Sequence, residues 1–489
     1  MDTMSSQEQK DRISKLPDEI LIDCLSLLDM KSAAQTSIIS RRWRYLWTHL
    51  STLDFDPALM YPEEFETFWK NEKYETSKYF GWINQVVSVH RGTSIDKFRV
   101  HSGYVTSYAT QFDKWVKFAL SKRVKELVLD LIGINLICDD RSENGFPLGF
   151  DTLRHPPCYT GITAIQSVHL RYVNVSDEFL EFLLSRCHNL ERLYLESTPL
   201  SNLKIKSSKL KYLSIIMRFS DLKELEIDAE NLLYFLYDDS NHEGCPHIVV
   251  KRVSMFVEAY FRGGLCQYPF PIFEKLSSFS AQLCKLSLFY VMLEHETFGS
   301  NLVIPDGVII PTFPNLKHFT LTTTSCFDDT SILSLKRFIE ACPMLEELKL
   351  QIYYQTVLYS EASKLQEIDL EDDRDDVEPE TNFNSGHSME IGQVQEEGSE
   401  NTEEKQGHYN LRILQVVGFV GNECDVEFIL AVVRDICSLN TIICDPHAVT
   451  YSHPIMPYNF DDLIEYDIAK KRARKLAKIV APKVKVMLI

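Results

Sequence analysis

At 489 residues and 45% hydrophobic composition, the chain is long enough for more than one domain and a large core. Its net charge is −19, of which −14 falls between Glu367 and Glu404 (fifteen acids against Arg374 alone), so the rest is near balance and offers neither a nucleic-acid surface nor a basic membrane face. No apolar run reaches the roughly 18 residues of a membrane span, Met1–Gln9 is polar without a signal core, and the 12 cysteines contain no C-x-x-C, so a soluble, reducing setting in the cytoplasm, the nucleus or both is expected, without metal or other cofactor.

The first predicted element is a set of short helices over Asp11–Leu50. Pro17 suits a helix start, because its missing N–H has no intrahelical partner there. Asp18 and Glu19 follow where the helix dipole favours negative charge. Ile20, Leu21, Cys24, Leu25 and Leu28 recur at helical spacing as one apolar face. A second helix is predicted over Lys31–Ile38, and Ser40 caps a third that aligns Trp43, Leu46, Trp47 and Leu50. About forty residues cannot bury all of this apolar surface internally. The surplus calls for docking, either on the rest of the chain or on another protein.

The order D-R-I-S-x-L-P-x-E-I-L (Asp11–Leu21), then T-S-x-x-S-x-R-W-R-x-L-W (Thr36–Trp47), then Leu53-Asp54-Phe55 resembles the plant form of the F-box. Met30 departs from it, standing where that pattern often has Pro. The resemblance implies packing against a Skp-type adaptor, which links an F-box to a cullin ubiquitin ligase. It places Leu16, Pro17, Ile20, Leu21, Leu25, Trp43, Leu46 and Trp47 at that contact or just beneath it.

Further along, a connector over Asp56–Ser77 leads to a helix at about Tyr79–His90, with Phe80, Ile83 and Val87 inward. Strands are predicted over Ile95–His101 and Val124–Leu131, with a helix over Gln111–Ser121 between them, Phe112, Trp115, Val116 and Leu120 inward. A unit Leu-x-x-apolar-x-apolar then recurs, beginning at Leu190, Leu210, Leu222, Leu283, Leu316, Leu345, Leu365 and Leu411. At Leu190 and Leu345 it follows an apolar helical pattern and a Cys (Cys187, Cys342). Helix, cysteine and short leucine strand form the repeat of a leucine-rich-repeat solenoid, in which neighbours stack to share a core. The spacing is irregular, and the Asn or Cys expected after the strand is mostly absent. A degenerate solenoid is therefore predicted, with some units reduced to strand plus loop; a generic α/β domain with leucine-rich strands is the bland alternative.

Residues 367–408 are acidic and nearly without apolar side chains, and are predicted to be disordered because they cannot offset their chain entropy. Beyond them, strands are predicted over Asn410–Phe419, Leu439–Cys444 and Lys483–Leu488, with helices over Val426–Ile436 and Asp467–Val480. This tail resembles the FBD region of plant F-box/leucine-rich-repeat proteins, on Val417-Gly418-Phe419-Val420-Gly421, Asp425-Val426-Glu427-Phe428 and Asp445-Pro446. The predicted helix 111–121, with Asp113, Trp115, Phe118 and Ala119, is similar to that family's first repeat. Lys470, Lys471, Arg472, Arg474 and Lys475 match a nuclear import signal, or else form the solvated face of a terminal helix.

The resulting organisation is an α/β chain: an N-terminal tail (1–10), a helical F-box (11–57), a connector and helix (58–100), an irregular leucine-rich-repeat solenoid (101–366), the acidic insert (367–408) and an FBD-like repeat cap (409–489). The sequence has no G-x-S-x-G, H-E-x-x-H, phosphate loop or G-x-G-x-x-G. Cys437, Cys444, His447 and His453 fit no zinc spacing. The family resemblance implies a non-catalytic ligase subunit whose repeats hold a protein target of unknown identity. The alternatives are a repeat scaffold outside any ligase and, far less favoured, a DNA-binding protein reading with Arg41, Arg42 and Arg44.

Overall fold

The computed structural model describes residues 13–60, 72–102, 109–131, 160–173, 175–198, 200–217, 222–239, 246–253, 256–263, 266, 272–290, 308–324, 329–353, 410–421, 423–446, 463–480 and 483–489. The tail 1–10, the strand expected at 365–370 and the acidic insert lie outside them. The chain divides into two compact units, one of Met1–Tyr290 with Ile304–Phe319, the other chiefly of Thr320–Thr450 and Phe460–Ile489.

The strands in chain order are β1 (Thr52–Phe55), β2 (Lys97–His101), β3 (Glu126–Asp130), β4 (Ser167–Arg171), β5 (Arg192–Glu196), β6 (Asn202–Lys206), β7 (Tyr212–Met217), β8 (Glu224–Asp228) and β9 (Tyr234–Asp239). They continue with β10 (His247–Lys251), β11 (Glu258–Gly263), β12 (Lys285–Tyr290), β13 (His318–Thr324), β14 (Glu347–Tyr353), β15 (Ile413–Val417), β16 (Thr441–Asp445) and β17 (Lys485–Leu488). The unit division falls within β13.

In the first unit, β1, β2, β3, β4, β5, β7, β9, β11 and β12 form one parallel array in that order. Its strands share one pattern, wider than the leucine unit: apolar-x-x-apolar-x-apolar. Leu50/Leu53/Phe55, Ile95/Phe98/Val100, Val124/Leu127/Leu129, Ile165/Val168/Leu170, Leu232/Phe235/Tyr237 and Phe256/Ala259/Phe261 are all buried, as are the leucine-led triads at Leu190, Leu210 and Leu283. The period of two sends the last two members of each triad to the inner face, and the first plugs the corner before the strand. Stacking these layers supplies the core no single layer has.

Helices back the array at its start: Glu72–Val89, Ala109–Ser121 and Asp177–Arg186. Phe80, Ile83, Phe112, Trp115, Val116 and Leu120 are buried as expected, while Val86 is buried where Val87 was expected and Val87 is only half-buried. Further on, the backing layer changes. The chain alternates between the main array and a second parallel sheet in the order β10, β8, β6. The unit at Leu222 therefore belongs to this second sheet, not to the main array. Units expected as strand plus loop are strand plus strand, because segments such as Asn202-Leu203-Lys204-Ile205-Lys206 alternate exposed and buried and are too short for a helix.

In the second unit, β14, β15, β16 and β17 are parallel neighbours. Helices Asp329–Glu340, Glu423–Asp435 and Leu463–Val480 belong to it. The FBD-like residues make a compact turn: Gly418 and Gly421 have φ of +79° and +71°, and the buried Asp425 carboxylate accepts from the amides of Val420 (3.1 Å) and Gly421 (2.8 Å). Ala469, Ala473, Leu476 and Val480 turn the last helix inward.

Candidate functional site

The N-terminal helices are α1 (Asp18–Leu25), α2 (Met30–Gln35) and α3 (Trp43–Leu46), with 3-10 turns at Thr36–Ile38 and Trp47–His49. α1 follows Pro17 and opens on Asp18 and Glu19. Arg42 ties its start to the later helices, donating from Nε to Asp18 Oδ1 (2.7 Å) and from Nη2 to the Leu16 carbonyl (2.6 Å). Asp29 caps α2, accepting from the Ser32 amide (2.9 Å) and hydroxyl (2.6 Å). Partial burial pushes the Asp29 carboxyl up, but these hydrogen bonds outweigh it and hold it below its ordinary value.

The helical spacing in α1 resolves into two stripes. Leu21 and Leu25 point inward and are buried, whereas Ile20, Cys24 and Leu28 are exposed. Met30, Ala33, Trp43, Leu46, Thr48 and Leu50 are buried as well, as are Leu53 and Phe55 of β1, which contacts α2. Trp47 is half-buried, its indole donating to the Arg44 carbonyl at 3.1 Å. Of the residues that the resemblance places at the partner contact or just beneath it, Trp43 and Leu46 are 7% and 5% exposed. The surplus lies elsewhere: Leu16, Pro17 and Ile20 are exposed, together with Ile13, Leu27 (86%), Leu28, Ile38 (88%), Ile39 and Tyr45. Sequence reasoning missed Leu27, Ile38 and Ile39 because they end or follow helical turns, where periodicity gives no face.

This helical cluster is joined to the repeat array by β1 itself. The Ser51 carbonyl accepts from the amides of Asp96 (2.8 Å) and Lys97 (3.2 Å), and the Thr48 carbonyl from that of Arg91 (2.8 Å). The Tyr79 hydroxyl lies 2.7 Å from the Phe55 carbonyl oxygen.

Two family models match the chain: the F-box domain over residues 13–54, and the LRR domain of the At1g61320/AtMIF1 type over residues 86–372. The second covers more than half of the chain. The chain belongs to the F-box/leucine-rich-repeat family. Among Arabidopsis thaliana relatives of this family, F-box/FBD/LRR-repeat protein At1g13570 is 28% identical over 356 residues, 70% of this chain and 76% of its own length. FBD-associated F-box protein At5g38590 is 26% identical over 356 residues, 70% and 78% of the two chains. Putative F-box/FBD/LRR-repeat protein At4g13965 is 32% identical over 216 residues, 42% and 47%. The F-box match ends inside β1, so in this F-box/leucine-rich-repeat chain the last F-box residues are also the first array strand.

The remaining candidate groups are placed as follows. Of the basic run, Lys471, Arg474 and Lys475 are exposed on the last helix; Lys470 and Arg472 are half-buried, and Arg472 Nη1 donates to the Val420 carbonyl at 3.4 Å. Among the described residues, no group of His, Cys, Asp and Glu could hold a metal ion. Burial pushes the Cys187 and Cys444 thiols up to about 12, and Cys342 higher still, so these three stay protonated and poorly nucleophilic at neutral pH.

Proposed function

We propose that the chain is the substrate-recognition subunit of a Skp-cullin-F-box ubiquitin ligase. The F-box grips a Skp-type adaptor, and through it a cullin, while the array presents a target protein. The observation that carries this is the exposed apolar surface over Leu16, Pro17, Ile20, Leu27, Ile38 and Ile39 on a domain whose own core is already filled. Leu21, Leu25, Trp43 and Leu46 are buried in the helices that carry this surface, and Trp47 is half-buried. The chain contributes no chemistry of its own; it raises the effective concentration of a charged conjugating enzyme at the target.

The test is binding of the full chain to a purified Skp-type adaptor. Ile20→Lys and Ile38→Lys should each weaken it by about 30-fold or more, as central anchors do, and leave the thermal midpoint unchanged. A wild-type chain that ignores the adaptor sinks the ligase reading and leaves a repeat scaffold.

A further inference from the structure

Charge is divided by sign along the N-terminal helices. From Asp18 to Asp29 the acids Asp18, Glu19, Asp23 and Asp29 stand without a Lys or Arg. From Met30 to Leu53 the bases Lys31, Arg41, Arg42 and Arg44 stand without an Asp or Glu. Part of this charge is engaged inside the domain. Arg42 holds Asp18 and the Leu16 carbonyl, and Asp29 caps α2. Arg41 and Arg44 are exposed and make no ion pair among the described residues.

Three observations put these two arginines beside exposed apolar residues. The Arg44 amide donates to the Ser40 carbonyl (3.1 Å), so helical backbone begins ahead of α3. Arg41, Arg44 and Tyr45 then share its outer face at i, i+3 and i+4, while Trp43 and Leu46 turn inward. The turn Thr36–Ile38 packs on α3, and Ile38, Ile39 and Tyr45 are 88%, 57% and 47% exposed. Arg91 places its guanidinium carbon 4.6 Å from the centre of the Tyr45 ring, and its amide donates to the Thr48 carbonyl at 2.8 Å. Arg91 is exposed as well. It lies beyond residue 54, where the F-box match ends, and inside the LRR match that begins at residue 86. The array thus extends a basic patch that the F-box begins.

We infer that this patch, Arg41 and Arg44 joined by Arg91, is part of the adaptor contact, and that the adaptor meets it with a cluster of carboxylates at the rim of its own apolar face. The inference rests on the ligase reading and adds a residue of the array to a contact otherwise confined to the F-box. The sign pattern restricts the partner further. A polyanion such as nucleic acid, or an adaptor acidic over its whole face, would meet Glu19 and Asp23 with like charge. A polyanion would also leave Ile38 and Ile39 uncovered. Acids confined to one side of an apolar face avoid both penalties. Exposed charges at the rim of such a contact act mainly on the rate and orientation of encounter, and salt screens them.

The experiment follows association and dissociation of a purified Skp-type adaptor on the immobilised full-length chain across ionic strength. The association rate should fall about tenfold or more from about 0.01 M to about 1 M salt. Arg41→Glu with Arg44→Glu should lower the low-salt association rate about tenfold and flatten its salt dependence, while the dissociation rate changes by less than about threefold. Arg41→Lys with Arg44→Lys keeps the charges and should keep the rate. Arg91→Glu, outside the F-box, should lower the association rate about threefold. At the highest salt, where charge is screened, every variant should associate as the wild type does, which separates lost charge from lost fold. Association indifferent to salt, a Glu pair or Arg91→Glu that binds at the wild-type rate, or a Glu pair still slow at high salt would overturn the inference. So would a DNA duplex whose binding, unlike the adaptor's, is lost with the same arginines. A wild-type chain that ignores the adaptor sinks the ligase reading itself; binding indifferent to charge sinks this inference and leaves that reading standing.

Discussion

His90 sits where the F-box meets the helix Glu72–Val89, its Nε2 3.0 Å from the Leu50 carbonyl and its ring edge-on to Phe118. Burial lowers its pKa; the bond to Leu50 opposes this without reversing it. A histidine whose folded pKa lies below the free value leaves the unfolded chain to take up the proton first. Its contribution is whole above about pH 6.5 and is lost as pH falls through the folded pKa. His169 on β4 is shifted the same way, chiefly by burial. Thermal midpoints should therefore fall between pH 7 and pH 5, and His90→Gln, which keeps a donor for Leu50, should flatten that slope. At this scale the sequence was only partly informative. The motif spacing located Trp43 and Leu46, but whether they face a partner or the interior depends on how α1, α2 and α3 pack on one another, which no local pattern encodes.

Strands of the array, of the second sheet and of the second unit turn their corners in one repeated way. At or just past the ends of β4, β5, β10, β11 and β15, Tyr172, Ser197, Arg252, Gly263 and Gly418 have φ of +54°, +51°, +38°, +93° and +79°. Regular repeats spend an asparagine on such a corner; here three of the five carry side chains that pay a steric penalty in this region. Ser197 is fully buried and its hydroxyl has no partner among the described residues. Ser197→Gly should thus stabilise the first unit by about 1 kcal/mol. Gly263 is the opposite case, since an added Cβ would lie 1.4 Å from the Asp239 carbonyl oxygen. Gly263→Ala should cost on the order of 1–3 kcal/mol or more, and chemical denaturation of both variants checks the contrast in sign. Most of the strands led by leucine were legible because one residue type marked them; the strand led by Leu232, whose triad goes on with Phe235 and Tyr237, was not. Those led by Ile95, Val124, Ile165 or Phe256 obey the same burial rule with different side chains, and only the first two also alternated clearly enough to be found. The second sheet was hidden for another reason: a five-residue alternating segment looks the same in either layer.

Across the whole of the first unit, the F-box and the array are not two bodies on a tether. Leu53 and Phe55 lie in the core, and β1 pairs with β2 from Thr52↔Lys97 to Phe55↔Val100. Inserting Gly-Ser-Gly between Ser51 and Thr52 should lower the thermal midpoint and open the junction to protease, whereas a true linker would absorb it. The joint behaves as a bracket. A protein clamped on the F-box and another held on the neighbouring strands would keep a set angle and separation, so recognition would act as a ruler. Which lysines of a captured protein come within reach would follow from where they sit on its surface, and a tightly bound protein with its lysines turned the wrong way would be held without being marked.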